Sequence, residues 1–515
     1  MKARNFRQGV LKLSRLACAT LLAITALPHV VANSYAVDTH VLDNELDGTP
    51  KSCYLSGISD RVRCGFVKVP ENPAKPDGKQ IEVHYAVLPA IKPSFPNEAF
   101  LAIAGGPGQS AIDNADGFER MFHKVRQTRD ILLIDQRGTG RSNLLNCEQG
   151  NIDVLAYNDE SVDIAVDAQK CLDSLTSDIT QYGSLTALGD FEAVRQALGY
   201  QKLHVYGVSY GSRMAQLYLK HYPQSVATTV LDGVVPMQRS VLAIGEAIDR
   251  AVELMLEDCG NTPACQQQFP NLKQELATVH ERLAQTPFET RVQHPLTGEL
   301  QSFLLTRSKF AAVVRLALYS PTTRALLPYA IHQAANENYQ TVLGLYGMTV
   351  GSLDLAAGMH NSVVCGEDMH RIDADMKANI DASYYGSEMY RGLSKACAVW
   401  QVPAVPADFA EGVSSDKPVL LLSGQLDPAT PPSWAELAKE HLSNSLHLVA
   451  PYSGHGIARE SCAGSVVAEF VSEGSVKELS TDCINKDIRR GFYLNASTVE
   501  PLPTQADKAQ DKAGE

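Results

Sequence analysis

Lys202-Leu203-His204-Val205-Tyr206-Gly207-Val208-Ser209-Tyr210-Gly211-Ser212 joins a short apolar run to a stretch that is helix-like from Tyr210 until Pro223 stops it. The reading is strand, sharp turn, helix, with Ser209 at the apex. Such a turn strains the serine and projects its hydroxyl, and the glycines on either side leave room for neighbouring backbone. A Gly-x-Ser-x-Gly sequence alone also fits an incidental glycine-flanked turn. A buried strand before it and a helix after it are the context that a nucleophile requires, so Ser209 is the candidate nucleophile.

The same alternation extends in both directions. Ile81–Leu88, Ala99–Ala104, Ile131–Asp135 and Leu203–Gly207 read as strands, and Asp190–Leu198 as a helix before the last of them. Strands resume at Pro418–Ser423 and Ser445–Ala450. Short apolar runs alternating with helices predict a mostly parallel sheet flanked by helices. Between about 237 and 415 helical periodicity takes over. Ile244, Ile248, Val252 and Met255 recur every three or four residues, and 270–284, 307–319 and 322–336 carry similar patterns. This predicts a large helical insertion, a cap at 237–415, dividing the sheet-bearing core into 33–236 and 416–499. The stretch from Glu500 to Glu515 is polar and predicts a disordered tail.

A serine at its ordinary pKa needs a base, and the base needs an orienting carboxylate. Gly424-Gln425-Leu426-Asp427-Pro428 follows the strand Pro418–Ser423, placing Asp427 on a strand-end loop. Gly454-His455-Gly456 follows the strand Ser445–Ala450, where a glycine-bracketed loop can aim an imidazole. The order serine, acid, histidine is the one that this elbow architecture uses. Two N–H donors must meet the developing oxyanion. One is Tyr210, directly after the nucleophile. The other is Gly106, in Ala104-Gly105-Gly106-Pro107-Gly108-Gln109-Ser110 after the strand Ala99–Ala104. A phosphate-cradle reading of that loop fails, because no Gly-Lys-Ser/Thr follows.

These blocks resemble the serine peptidases of the prolyl aminopeptidase and tripeptidyl aminopeptidase type. The resemblance rests on Gly105-Gly106-Pro107-Gly108-Gln109-Ser110, Asp135-Gln136-Arg137-Gly138-Thr139-Gly140-Arg141-Ser142, Asp190…Arg195…Leu198-Gly199, Gly207-Val208-Ser209-Tyr210-Gly211-Ser212 and Leu231-Asp232-Gly233, with the Asp427 and His455 contexts. It spans about residues 100–235 and 415–460. It implies an alpha/beta-hydrolase fold, an inserted helical cap, and removal of amino-terminal residues from short peptides without a cofactor. The long cap and the cysteine content look closer to the tripeptidyl branch. Where the prolyl branch usually has His before the Gly-Gly-Pro-Gly loop, this chain has Ala104.

Composition agrees with an exported globular enzyme. The chain has 515 residues, 45 Lys+Arg against 58 Asp+Glu and a net charge of −13, which argues against a nucleic-acid partner. Residues 1–32 combine Lys2, Arg4, Arg7, Lys12 and Arg15 with the apolar run Leu16–Ala26 and small-residue cleavage options. This is the layout of a signal peptide, and the run is too short for a bilayer span, so the expectation is a periplasmic or secreted protein outside the membrane. Setting Cys18 aside leaves ten cysteines, an even number that favours disulfides in an exported chain. Pairing by proximity gives 53–64, 147–171, 259–265, 365–397 and 462–483, one of the many connectivities that ten cysteines allow. No two stand at zinc-ligand spacing with histidines nearby, so no metal is expected.

An aminopeptidase must hold an ammonium group, which a partly buried carboxylate does best. The candidates are Glu367 and Asp368, in the strand-like Val363-Val364-Cys365-Gly366-Glu367-Asp368, and the alternative is two surface acids in a loop. Asp135 and Arg137 read as a buried ion pair bracing the loop Gly138–Gly140. His455 must be neutral to act, so activity should fall below about pH 6. Two rival functions remain: an esterase or other small-substrate hydrolase using the same triad, and a non-catalytic binding protein of hydrolase fold.

Overall fold

The computed structural model describes residues 50–147, 155–293, 298–350 and 355–501. The predicted signal peptide and nearly all of the predicted tail lie outside the described residues. Nine strands build the central sheet: β1 (Lys51–Cys53), β2 (Val62–Pro70), β3 (Gln80–Leu88), β4 (Glu98–Ile103), β5 (Asp130–Ile134), β6 (Lys202–Val208), β7 (Val226–Asp232), β8 (Val419–Gly424) and β9 (Ser445–Ala450). Their spatial order is β1-β2-β3-β5-β4-β6-β7-β8-β9. The first four pair antiparallel, and every pairing from β5 to β9 is parallel.

Strands buried on both faces need apolar residues throughout, and β4 shows why. Ala99, Leu101 and Ile103 enter one core, while Phe100 and Ala102 enter the opposite one. Helices Ser184–Ala197 and Tyr210–His221 cover the first face with Leu188, Phe191, Met214 and Leu217. Helices Ala115–Phe122 and Ala463–Glu473 cover the second with Phe118, Phe122, Val467 and Phe470. Burying each of these large side chains stabilises the fold by about 1.5–3 kcal/mol.

Topology then opens a crevice. The chain leaves β4 for β5 on one side and returns to β6 on the other, so the connections at the carboxyl ends of β4 and β6 diverge to opposite faces. Ligands bind at such a switch point. Residues 104–110 follow β4 and Ser209 follows β6.

Between β7 and β8 the chain is mostly helical and has its own core. Helix Ile244–Gly260 buries Ile248, Val252 and Met255 against Phe269, Leu276, Phe310, Val314 and Ile331. Three features were not read from the sequence. A hairpin, Phe288–Gln293 with Leu300–Leu305, interrupts the helices. The helix expected over 322–336 is split into Pro321–Arg324 and Leu327–Ala335. Near the C-terminus Phe492 packs into the insertion's core, and Tyr493 N–H donates to Ala325 O at 2.9 Å, so this stretch joins the insertion rather than the sheet. The strand-like stretch before Asp368 is also helical, in Ala357–Glu367. Its β-branched residues yield to packing, because Met359 and Val363, one turn apart, insert into the first sheet-face core.

Among the described residues, five disulfides join Cys53–Cys64, Cys147–Cys171, Cys259–Cys265, Cys365–Cys397 and Cys462–Cys483. Among the described residues, no helix is long and apolar enough to cross a membrane, and no cluster of His, Cys, Asp and Glu is arranged to hold a metal ion.

Candidate active site

Ser209 sits between β6 and helix Tyr210–His221 with φ 57° and ψ −126°. A serine at positive φ is strained and persists only where its surroundings hold it. They do so here: Ser209 N–H donates to Asp232 O at 2.9 Å, and the Ser212 hydroxyl donates to Ser209 O at 2.6 Å. The flanking glycines are steric necessities. A Cβ on Gly207 would lie 2.0 Å from Gly211 O, and one on Gly211 would lie 2.5 Å from Ile103 O.

The loops after β8 and β9 touch, since a Cβ on Gly424 would lie 2.0 Å from Gly454 O. That contact brings His455 Nδ1 to 2.8 Å from Asp427 Oδ2. Asp427 is fully buried, and its other contacts are complete: Oδ1 accepts from Ala429 N–H at 2.7 Å and Thr430 N–H at 2.9 Å, and Oδ2 accepts the Thr430 hydroxyl at 2.7 Å. An Nδ1 proton donated to this carboxylate leaves Nε2 as the imidazole's acceptor. The ring lies beside the elbow, because a Cβ on Gly233 would meet His455 Cε1 at 2.9 Å, and Gly233 directly follows the residue holding Ser209 N–H. Burial favours the neutral imidazole most strongly. The Asp427 charge and hydrogen bond, with Asp232 and Glu460, outweigh it and raise the His455 pKa above its ordinary value.

The loop after β4 runs over the serine. A Cβ on Gly105 would lie 3.1 Å from Ser209 Cβ, and Gly106 at φ 110° and Gly108 at φ 114° hold conformations that favour glycine. Asp135 fixes the loop from below, accepting the Ser110 hydroxyl at 2.7 Å and Ile112 N–H at 3.1 Å. The insertion fixes it from above: Ala356 N–H donates to Gly108 O at 3.0 Å, and His360 Nδ1 lies 3.1 Å from Pro107 O. Tyr210 opens its helix, where the first N–H groups have no acceptor within the helix. The structure thus brings Ser209, Tyr210, the Gly105–Gly106 loop, Asp427 and His455 to one place.

Similarity to known proteins agrees with this geometry. Residues 382–483 match a family described as TAP-like protein. The chain is 30% identical over 202 residues to the putative hydrolase YuaR of Escherichia coli, a match spanning 36% of this chain and 40% of that protein. It is 24% identical over 457 residues to the serine protease Hip1 of Mycobacterium tuberculosis, covering 82% of this chain and 87% of that one. It is 26% identical over 207 residues to the tripeptidyl aminopeptidase of Streptomyces lividans, covering 37% and 38%. Residues 382–483 thus resemble a TAP-like domain, and the sheet, serine elbow and inserted helices have the alpha/beta-hydrolase fold.

In this alpha/beta hydrolase, Glu367 and Asp368 end the helix Ala357–Glu367 and are buried behind the elbow. Asp368 receives Arg213 through Nη1 at 2.9 Å and Nη2 at 3.1 Å, Arg371 at 3.1 Å and Val241 N–H at 2.9 Å. Burial opposes its charge but Arg213 and Arg371 outweigh it, so its carboxyl lies below the usual range. With its charge already met by Arg213 and Arg371, Asp368 does not fit the amine-binding role expected for it. Glu367 accepts Ser184 N–H at 2.6 Å and the Ser184 hydroxyl at 2.8 Å, and borders a cavity of about 170 Å³. Burial pushes its carboxyl up to about 7, against the opposing pull of Arg213. Ser184 also bonds the Tyr210 hydroxyl at 2.6 Å, so Glu367 reaches the elbow through one side chain.

The expected Asp135–Arg137 pair does not form. Arg137 instead grips Asp190 with Nε at 2.6 Å and Nη2 at 2.7 Å, bracing the same loop from helix Ser184–Ala197. Sequence reading missed Thr430, whose hydroxyl lies 3.1 Å from His455 Nδ1 and also serves Asp427. It also missed the role of Asp232, which accepts Ile457 N–H at 2.9 Å and Ala458 N–H at 3.0 Å and so fixes the backbone just after His455. Tyr319 of the insertion accepts His455 N–H at 2.9 Å and sets its ring edge-on to the imidazole at 5.0 Å. Asp232 stood in the quoted Leu231-Asp232-Gly233 block, the only signal for any of the three.

Proposed function

We propose that this hydrolase is an exported serine exopeptidase that releases one to three residues from the free amino terminus of short peptides. The observation that carries this reading is the 2.8 Å contact between Asp427 and His455 beside a strained serine elbow. Ser209 Oγ attacks the scissile carbonyl carbon while His455 Nε2 takes the hydroxyl proton. Asp427 orients the ring and stabilises the imidazolium. The oxyanion receives the N–H groups of Gly106 and Tyr210, each donor worth about 3–4 kcal/mol in comparable sites. Collapse of the tetrahedral intermediate breaks the C–N bond, and His455 returns its proton to the leaving amine. Water, deprotonated by the same histidine, then hydrolyses the acyl-enzyme.

Tyr319, Ala356 and His360 place the insertion directly over the reacting groups, which supports an exo-acting cleft of limited depth. The names of Hip1, a serine protease, and of the tripeptidyl aminopeptidase support peptide substrates. Glu367 is the remaining candidate for the ammonium group. Export is part of the same proposal, supported by five disulfides of the kind that persist in oxidising compartments.

The test is a matched pair of chromogenic peptides, one with a free amino terminus and one acetylated, with Ser209→Ala as control. Cleavage of the free peptide alone, lost in the control, is the expected result. Equal cleavage of both removes amine recognition, and cleavage of neither with good ester turnover makes the protein an esterase.

A further inference from the structure

Two arginines of the insertion stand near the reacting groups without a carboxylate partner among the described residues. Arg250, on helix Ile244–Gly260, reaches across to the acid loop, where its Nη2 donates to Gln425 O at 2.9 Å. Its Nη1 is buried with no acceptor among the described residues. Asp427 is near enough to act on its charge, but that carboxylate already accepts from Ala429, Thr430 and His455. Arg315, on helix Arg307–Ala317, places Nη1 at 3.1 Å from Met389 Sδ, and its Nε is buried with no acceptor among the described residues. It precedes Tyr319, the residue set against His455, by one helical turn. Its charge is felt both at Tyr319 and at His360, which contacts the Pro107 carbonyl. Arg315 is thus within charge range of the segment that carries Tyr319 and of His360, which holds the loop that crosses the serine.

Elsewhere in the insertion Arg239, Arg307, Arg324, Arg371 and Arg391 each pair with a carboxylate, while Arg282 and Arg291 meet backbone carbonyls far from the reacting groups. Taking a cation out of water costs free energy unless an anion meets it. A half-buried guanidinium with a buried spare N–H, in a protein of net charge −13, marks a place for an anion that the chain does not supply. The planar fork of arginine matches a carboxylate in two-point geometry.

We propose that Arg250 and Arg315 form a carboxylate-recognition pair in the roof of the cleft, so that substrates carry a carboxylate close to the scissile bond. This rests on the serine-peptidase reading and adds the substrate class. The carboxylate comes either from an acidic side chain or from the free C-terminus of a short peptide.

Binding and turnover separate the two claims. Ser209→Ala protein is titrated calorimetrically with peptides in two matched sets: Glu against Gln beside the scissile bond, and free against amidated C-terminus. At least one carboxylate member should bind about tenfold or more tightly than its neutral partner, and the set that shows the gap identifies the source. Adding Arg315→Gln or Arg250→Gln should shrink that ratio, while Arg315→Lys and Arg250→Lys, which keep charge and stem, should retain part of it. Ratios near one in both sets overturn the pair, as do ratios unchanged in both glutamine variants. Turnover of the same peptides by the unsubstituted enzyme tests the peptidase reading independently, since neutral members report it whatever the arginines do.

Discussion

Asp232→Asn probes how the fold holds the base. The carboxylate is fully buried and accepts three hydrogen bonds, from Ile457 N–H at 2.9 Å, Ala458 N–H at 3.0 Å and the Tyr206 hydroxyl at 2.8 Å. Asparagine keeps the shape, but its NH2 must face at least one of these donors. One or two bonds to a charged acceptor are lost, each worth about 1.5–3 kcal/mol, so stability should fall by roughly 1.5–6 kcal/mol in urea unfolding. The held backbone directly follows His455, and a displaced imidazole should lower the plateau of kcat/KM by about 10–100-fold. A second effect is independent of position. The negative charge of Asp232 raises the His455 pKa, so its removal lowers that pKa. The imidazole then stays neutral to lower pH, and the acidic limb of the kcat/KM profile moves toward acid. In the unsubstituted enzyme that limb should stand above the ordinary imidazole value of 6.5 and above the pH 6 expected from sequence, because the structure raises this histidine. A variant with unchanged stability, or with a lower plateau and an unmoved limb, would refute the reasoning.

Glu367→Gln should remove a pH-dependent weakness. A carboxyl at about 7 keeps its proton in the folded state where the unfolded chain, near 4.5, has lost it, so stability falls as pH rises between those values. The gap is worth roughly 3 kcal/mol above neutrality. The variant should therefore gain stability relative to the unsubstituted enzyme at pH 8 and not at pH 4.5, measured by urea unfolding at both. Replacing both Cys365 and Cys397 by serine opens a link across 32 positions that ties helix Ala357–Glu367 to helix Tyr384–Val399. Chain-entropy arguments put its loss at about 3–4 kcal/mol, readable as a lower urea midpoint that reductant no longer shifts by as much. Gly211→Ala forces a Cβ to within 2.5 Å of Ile103 O. Overpacking of this kind costs about 1–3 kcal/mol and should lower both melting temperature and turnover, whereas an unchanged melting temperature would mean the loops part freely.

Much of this protein was legible locally. The strand before Ser209, the turn and the helix after it are fixed by neighbours in sequence: apolar residues that suit a strand buried on both faces, two glycines where a side chain would strike backbone, and a proline to stop the helix. The loops bearing Asp427 and His455 follow apolar strands for the same local reason, and the buried face of helix Ile244–Gly260 is written in its three- and four-residue spacing. What joins these pieces is not local. Asp232 is 225 positions from Ile457, and Tyr319 meets His455 only because the insertion folds back over the sheet. Burial is likewise a property of the assembled chain. Asp368 and Glu367 are adjacent acids, yet one is neutralised by Arg213 and the other is pushed toward its protonated form. Arg137 found Asp190 rather than Asp135 because helix Ser184–Ala197 packs there. Residue types and their local spacing specified which chemistry was available; only the packed sheet and its insertion decided which charges were paired, which were left open, and how the base is held beside the serine.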